Sequence, residues 1–384
     1  MRPKFFVLSA VLLLVAGFAT INRHEVRAGE AGPASGYKVL EPIRHGNLTV
    51  FPVVAAKSYP TGEFLTLDEG LRSGEVVVTE AGSVQGLIRR NGTPIRHDGA
   101  EVNRLVLVNN SKRPLLLLAG EVVSGGKQDR VIGKDRIVPA ESDPIDLSVF
   151  CVEHGRWVAS TQNFGASESL YGSASGSSTG KTSPPPMAIM VQPSVRAKAM
   201  ADKNQSEVWS EVAKQKDAMT NVVAGAAAET VTVDLGQVTS YAKVNENAVV
   251  RLQVDSIAKP MELSYQSLIR QLRDRNAVGV VVAVNGRIIW ADIFASTDLL
   301  SKYWPKLVRS YASEAIVTRA KEMDVTTKQA EGFLAEMEGR KEMIESEPGV
   351  FRHTEVTGDG FKAFELTSLL PKTGFDVHVA KMAE

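Results

Sequence analysis

The chain has 384 residues, of which 43% are hydrophobic and 23% are charged. This composition is typical of a globular protein with enough apolar mass for one large domain or two ordinary ones. The 44 basic and 44 acidic side chains cancel. The chain therefore offers no broad field for nucleic acid or anionic lipid, and we predict no nucleic-acid partner.

The N-terminus has the pattern of an export signal. Arg2 and Lys4 precede an apolar run over residues 5–19, and residues 26–28 end on the small side chain of Ala28. A basic start, a short apolar stretch and a small-residue exit predict that residues 1–28 are a signal peptide cleaved near Ala28. The alternative is an uncleaved membrane anchor, which normally needs about 20 apolar residues. We therefore predict an exported protein, periplasmic or extracellular, with no stable membrane span after cleavage.

Residues 29–158 are the β-rich half of the predicted fold. Short β-branched segments alternate with Gly, Asn, Pro and Asp, as expected of strands joined by turns. Residues 115–118 are apolar without alternation, which predicts a strand covered on both faces. The single cysteine, Cys151, lies in an apolar run, so a buried inert thiol is favoured over a catalytic nucleophile. The predicted strands are residues 47–55, 64–67, 76–78, 102–108, 115–118, 130–138 and 145–152.

A segment rich in Ser, Gly and Pro follows, and residues 159–200 are predicted to be a flexible linker or an insertion. Residues 175–182 resemble a phosphate-binding P-loop. However, Ser175 stands where the motif has its first glycine, and prolines rather than a helix follow. A linker is therefore favoured, and it either separates two domains or interrupts one.

Residues 201–384 mix helices with strands and are predicted to pack with residues 29–158 as one unit. Asn285 and Gly286 lie between two β-branched runs, which predicts a type I′ hairpin. Thr326 and Gln329 form a capping-box pair at the start of a helix. The predicted helices are 204–219 and 261–272 with a helical region over 297–346, and the predicted strands are 278–284, 287–294, 361–366 and 375–380. A β-rich half followed by a half with mixed sheet, helices and a hairpin predicts an α+β fold.

Residues 119–157 place polar side chains beside glycines where predicted strands end. Strand ends on a rigid scaffold are common places for functional groups. Glu121 and Glu153 are the candidate catalytic bases. Lys127 and Arg130 would bind a phosphate or carboxylate, since the guanidinium of arginine can form two parallel hydrogen bonds with such a group. The candidate ligand-binding residues are Lys127, Gln128, Arg130, Arg156 and Trp157.

The same segment also has a structural interpretation. Charged side chains at strand ends often face water or tie a loop to a sheet, and tryptophan is most often a core residue. Asp292, in the outgoing strand of the hairpin, is expected to be a buried, hydrogen-bonded structural residue. The six histidines include no close pair along the chain and no cysteine partner, so we predict no metal site and no cofactor.

Short motifs in both halves resemble a known family. In the polar segment they are Gly120-Glu121, Gly126-Lys127-Gln128-x-Arg130, Val138-Pro139-Ala140 and Cys151-Val152-Glu153-x-Gly155-Arg156-Trp157. In the second half they are Gly279-Val280-Val281, Asp292-Ile293-Phe294 and Trp304-Pro305-Lys306-Leu307. Together they resemble the bacterial ARG and rhodanese-phosphatase-superfamily-associated domain, over about residues 40–320. The resemblance implies a shared α+β fold without an established activity. A link to ADP-ribose or nucleotide chemistry follows from the family name only by analogy.

Two functions are therefore hypotheses. The first is a ligand- or protein-binding or scaffold protein of the cell envelope, with a small molecule or an envelope protein as partner. The absence of a complete catalytic motif favours it. The alternative is a hydrolase-type enzyme that acts on a phosphorylated, nucleotide or ADP-ribose-like small molecule. It is motivated by the clustered polar side chains of the 119–157 segment, and it predicts that these side chains line one pocket.

Overall fold

A computed structural model describes residues 36–81, 103–153, 164–165, 189–226, 238–272, 275–318 and 324–384. The predicted signal peptide, residues 166–188 of the predicted linker, and the candidate residues Arg156 and Trp157 lie outside these ranges. In the described residues the fold is α+β, as predicted. None of the described helices combines the length and the apolar character needed to cross a membrane.

The elements follow the chain in this order. The strands are β1 Tyr37–Val39, β2 Ile43–His45, β3 Leu48–Ala55, β4 Leu65–Thr66, β5 Val76–Glu80, β6 Arg104–Asn109, β7 Leu115–Leu117, β8 Val122–Gly125, β9 Arg130–Ile132, β10 Arg136–Val138, β11 Ile145–Cys151, β12 Phe164–Gly165, β13 Asn276–Val284, β14 Arg287–Phe294, β15 Arg340–Glu347, β16 Phe351–Gly358, β17 Phe361–Ser368 and β18 Asp376–Ala383. The helices are α1 Leu67–Ser73, α2 Pro193–Ala197 with a π-helical turn Lys198–Asp202, α3 Gln205–Ala226, α4 Tyr241–Glu246, α5 Ala248–Gln271, α6 Thr297–Val317 and α7 Thr327–Ala335.

The predicted hairpin lies in the middle of the largest sheet. Asn285 and Gly286 have φ angles of 51° and 72°, the left-handed conformation that a type I′ turn requires. β13 pairs with β14 on one side and with β3, from the N-terminal half, on the other. The strand order is β1-β3-β13-β14-β18-β17-β16-β15, with β2 also paired to β3. One sheet therefore contains strands from both halves of the chain.

The N-terminal half, together with β12 from the predicted linker segment, builds two further sheets, β12-β8-β9-β11-β6-β5 and β10-β7-β4. Successive side chains of a strand point to opposite faces. Leu115 and Leu117 enter the core of these sheets, whereas Leu116 and Leu118 enter the larger core shared with the helices. The prediction of a strand covered on both faces is thereby confirmed.

Helix α6 lies between the large sheet and helix α5. Its apolar stripe, which includes Leu299, Tyr303, Leu307 and Tyr311, is fully buried. The helix begins after Ser296, whose hydroxyl accepts a hydrogen bond from the backbone nitrogen of Leu299 at 3.1 Å. The opposite face of the large sheet is covered by α7, which begins at the predicted Thr326–Gln329 capping box.

Three predicted elements are wrong in part. The predicted strand 64–67 ends at Thr66, which instead caps α1 through a capping box with Glu69. The predicted strand 130–138 is two strands in different sheets, separated by residues 133–135. The predicted helical region 297–346 contains α6 and α7 but ends in the edge strand β15, which pairs with β16. Its Lys and Glu residues favour a helix locally, and they also suit an exposed sheet edge. Pairing with β16 decides between the two.

Candidate functional site

Several of the predicted site residues meet at the start of β9. The side-chain nitrogen of Gln128 donates to the Glu153 carbonyl oxygen at 3.0 Å. The backbone nitrogen of Asp129 donates to Glu153 Oε2, also at 3.0 Å. Gln128, Arg130 and Glu153 are 5%, 0% and 2% exposed. These side chains are therefore buried, and those of Gln128 and Glu153 form hydrogen bonds with backbone groups of the same cluster.

The surroundings of Arg130 are acidic. Burial lowers the pKa of its guanidinium, and the charges of Glu80, Asp129 and Glu153 oppose that shift. Lys127 joins the cluster through its backbone nitrogen, which donates to Glu80 Oε1 at 2.8 Å. Cys151 is buried beside it, as predicted, and burial raises the pKa of its thiol. Carboxylates of the protein itself therefore neutralise Arg130, and burial keeps the thiol protonated.

Glu121 lies apart from that cluster, in a group that we call the lysine network: Asp68, Glu121 and Lys306. The Lys306 ammonium donates to Asp68 Oδ2 at 2.5 Å and to Glu121 Oε1. Glu121 Oε2 accepts from the backbone nitrogen of Leu118 at 2.7 Å. All three residues are at most 3% exposed.

The electrostatics of the lysine network follow from its burial. Burial disfavours the charged ammonium, but the two carboxylates overcome this and raise the pKa of Lys306. Burial raises the pKa of Glu121, although Lys306 opposes the shift. Lys306 is therefore a permanent cation, held in place by carboxyl groups from α1 and from the residue before β8.

A second buried group, the histidine network, consists of Asp135, Arg196, Asp292 and His378. Arg196 Nη1 donates to the two carboxylate oxygens of Asp292 at 2.8 and 2.9 Å. His378 joins the two aspartates, with Nδ1 2.5 Å from Asp135 Oδ2 and Nε2 3.0 Å from Asp292 Oδ1. The Tyr311 hydroxyl donates to Asp292 Oδ2. Asp292 is thus buried and hydrogen-bonded, as the sequence predicted.

The histidine network is balanced in charge. Burial favours the neutral form of Asp292, but the Arg196 guanidinium, together with His378, holds the pKa of that carboxyl well below its usual range. Burial likewise opposes the imidazolium, but Asp135 and Asp292 raise the pKa of His378 above its ordinary value. Two cations therefore face two anions at a point where α2, α6 and the large sheet meet.

The turn of residues 118–121 connects the two networks. Leu118 donates to Glu121, as described, and the backbone nitrogen of Ala119 donates to Asp135 Oδ1 at 2.7 Å. Gly120 has a φ angle of 95°. A Cβ atom there would lie 2.7 Å from Met190 Sδ and 2.9 Å from Arg196 Cδ. The glycine therefore serves both the turn and the close approach of Arg196.

A pocket opens beside Lys306, between residues 189–190, α4, α5 and α6. We call it the basic pocket, and it is narrow, with about 20 Å³ of space for water-sized groups. All of the charged side chains in its wall are cations: Arg251, Lys306 and Arg309. Its other polar side chains are Asn245, Ser310 and Ser313. The carboxylates that pair with Lys306 and Arg309, which belong to Asp68, Glu121 and Asp255, lie outside the wall.

Sequence reasoning selected part of this arrangement. Glu121 was a candidate; it does not line the basic pocket, but its carboxylate contacts Lys306, which does. Lys306, Arg309, Asp68 and Asp135 were not selected. The signal that could have found Lys306 is its place in the apolar stripe of α6, where a lysine among Tyr303 and Leu307 must bury its charge against partners. The partners themselves come from distant parts of the chain.

The fold and these contacts define a mixed α+β protein with two buried charge networks and a cationic pocket beside one of them. The chain belongs to the ARG and Rhodanese-Phosphatase-superfamily-associated Protein domain family, whose model matches residues 36–380. No curated protein and no solved structure gave a significant match. The family membership confirms the resemblance found in the sequence motifs.

Proposed function

We propose that this protein is an exported binding protein of the cell envelope whose basic pocket holds the anionic group of a small molecule. The observation that carries the proposal is the wall of the pocket, in which Arg251, Lys306 and Arg309 are joined by hydroxyl groups and by no carboxylate. Guanidinium and ammonium groups form their strongest hydrogen bonds with carboxylate or phosphate oxygens.

Binding is favoured over hydrolysis by the positions of the two candidate bases. A general base must come within hydrogen-bond reach of the proton that it removes. Glu121 already accepts from Lys306 and from the Leu118 backbone, and Glu153 accepts from the Asp129 backbone and from Thr239. Neither carboxylate is among the groups that line the basic pocket. The lining groups can bind and orient an anion.

Export is the second part of the proposal, and it rests on the sequence pattern of residues 1–28. Expression of the full chain in a bacterial host, followed by fractionation and mass measurement of the intact protein, tests it directly. We expect a periplasmic or secreted product that begins at Gly29. A product that keeps Met1 and sediments with membranes would support the uncleaved anchor instead.

Anion binding is tested by thermal unfolding of the purified protein in phosphate, sulfate, acetate or malonate, with glycerol as an uncharged comparison. A ligand at about 100 times its dissociation constant adds roughly 2.7 kcal/mol to the free energy of unfolding. We expect at least one anion to raise the melting temperature, and Arg251→Gln to weaken that effect. Arg270→Gln is the matched control, because Arg270 is exposed on the same helix away from the pocket. Equal anion effects in both variants would refute the proposed site.

A further inference from the structure

The lysine network holds more carboxyl groups than cations. Asp68 and Glu121 both contact the single ammonium of Lys306, which is 1% exposed. When both carboxyl groups are ionised, two buried anions therefore face one buried cation. Like charges inside a protein disfavour each other's ionised form, because little water screens them. The ammonium of Lys306 is thus already shared before any ligand arrives.

Lys306 is also the member of the network that lines the basic pocket. An anion bound there would be a third negative charge at the same ammonium. Because the pocket is narrow, such an anion would lie close to Lys306 with little water between them. A neighbouring charge within about 4–6 Å shifts the pKa of a carboxyl group by roughly 1–3 units. Anion binding and protonation of one of the two carboxyl groups are therefore linked.

The surroundings of the two carboxyl groups favour Glu121 as the one that takes up the proton. Glutamate is the weaker acid of the two, with an ordinary pKa of about 4.3 against about 3.9 for aspartate. Glu121 is 0% exposed, whereas Asp68 is 3% exposed. Burial raises the pKa of Glu121, and the charge of Asp68 raises it further, although Lys306 opposes both. A third anion beside Lys306 acts in the same direction as burial and Asp68.

The other ionisable side chains around the network and the pocket differ from Glu121 in their pairing. Tyr303 of α6 is neutral, since burial raises the pKa of its hydroxyl well above the ordinary value, and it donates to the Leu116 carbonyl oxygen at 2.9 Å. The charged neighbours are Glu69 of α1 with Lys302, Asp135 with His378, Arg196 of α2 with Asp292, and Arg309 of α6 with Asp255. In each of these pairs a carboxylate faces a cation, whereas Glu121 and Asp68 share one.

We infer that anion binding in the basic pocket is coupled to the uptake of one proton from solvent by the carboxylate of Glu121. With Glu121 neutral, the ammonium of Lys306 faces Asp68 and the bound anion, so the number of anions around it is the same as before binding. With Glu121 ionised, its carboxylate and the ligand compete for one ammonium. Because the coupling is reciprocal, the affinity for the anion rises as the pH falls. This inference rests on the proposed anion site and concerns its regulation.

Anion titrations of the purified protein at several pH values test the inference. The probes are chloride, acetate and sulfate, because each of them keeps its charge between about pH 6 and 8.5. Uptake of one proton allows at most about a tenfold change in affinity per pH unit. We expect at least one probe to bind about tenfold or more tightly at pH 6 than at pH 8.5. Equal affinities at the two pH values would overturn the inference and leave the anion site standing.

Glu121→Gln removes the titrating group and keeps the shape of the side chain. We expect this variant to bind the same probe with equal affinity at both pH values, and more tightly than the wild type at pH 8.5. Glu69→Gln is the matched control, because it removes another carboxylate close to Asp68 while glutamine still suits the capping box with Thr66. It should keep the wild-type pH dependence. If Glu121→Gln also keeps that dependence, the proton is taken up elsewhere and the inference fails.

Proton uptake by the wild-type protein gives a test that needs no variant. Calorimetric titrations with the same probe near neutral pH, in two buffers that differ in ionisation enthalpy, yield the number of protons taken up for each anion bound. We expect a clear uptake of up to one proton, and no uptake would overturn the inference even if Glu121→Gln did not fold. Circular dichroism and retained anion binding establish that each variant is folded. If none of the anions binds, the proposed function fails, and this inference fails with it.

Discussion

Asp292→Asn is the substitution that most directly tests the histidine network. The carboxylate of Asp292 meets Arg196, His378 and Tyr311, so its neutralisation leaves two buried cations facing the single charge of Asp135. Breaking a buried ion pair by removing one partner costs about 3–5 kcal/mol. For the roughly 280 residues that the structure describes, the entropy of unfolding is about 0.6 kcal/mol per kelvin. We therefore expect the melting temperature to fall by about 5–8 °C, measured by scanning calorimetry near neutral pH.

Tyr311→Phe is the matched control for that experiment. It removes one hydrogen bond to the same carboxylate without removing charge, which costs about 1 kcal/mol. The expected fall in melting temperature is about 1–2 °C by the same conversion. Urea unfolding should give the same order of stabilities with an unchanged slope. If Asp292→Asn melts no lower than Tyr311→Phe, the carboxylate does not hold the buried cations as described.

Three further substitutions test other parts of the structure. His353 is 0% exposed, and burial lowers its pKa to about 4. The folded state therefore loses about 3 kcal/mol of stability as the pH falls from 6.5 to 4. The substitution His353→Leu should remove that loss in acid denaturation curves. The substitution Gly120→Ala should lower the free energy of unfolding, measured in urea, by at least about 1–3 kcal/mol, because an alanine is strained at positive φ and would contact Arg196. A variant with wild-type stability would contradict this. Asn285→Val should cost about 1–2 kcal/mol in the same assay, since a branched residue resists the left-handed turn, whereas Asn285→Gly should cost little.

The family and the α+β class could be predicted from sequence because their signals are local. The Asn285-Gly286 pair predicts its turn, since few residues accept positive φ at both positions. The all-apolar run of residues 115–118 predicts burial on both faces. The capping box at Thr326 marks the start of α7. Each signal is contained within a few neighbouring residues, and the physical cause acts over the same range.

The same locality explains the elements that were wrong. Residues 340–347 have the composition of a helix, and only pairing with β16 makes them a strand. Residues 130–138 read as one strand, but Asp135 leaves that path to bind His378, which lies 243 positions away in the chain. Neither the pairing with β16 nor the bond to His378 can be inferred from the sequence of the segment whose structure it determines.

The candidate site, too, could be predicted from the sequence only in part. The sequence by itself determined that residues 119–157 are unusually polar for a strand-rich region and that Glu121 and Arg130 belong to it. Only the tertiary structure decided that Glu121 forms an ion pair with Lys306, because the fold brings α1, residue 121 and α6 together around one buried charge. A charge in a core is stable only beside its partners. The choice of partners is therefore a property of the packed chain, whereas the presence of charged residues is a property of the sequence.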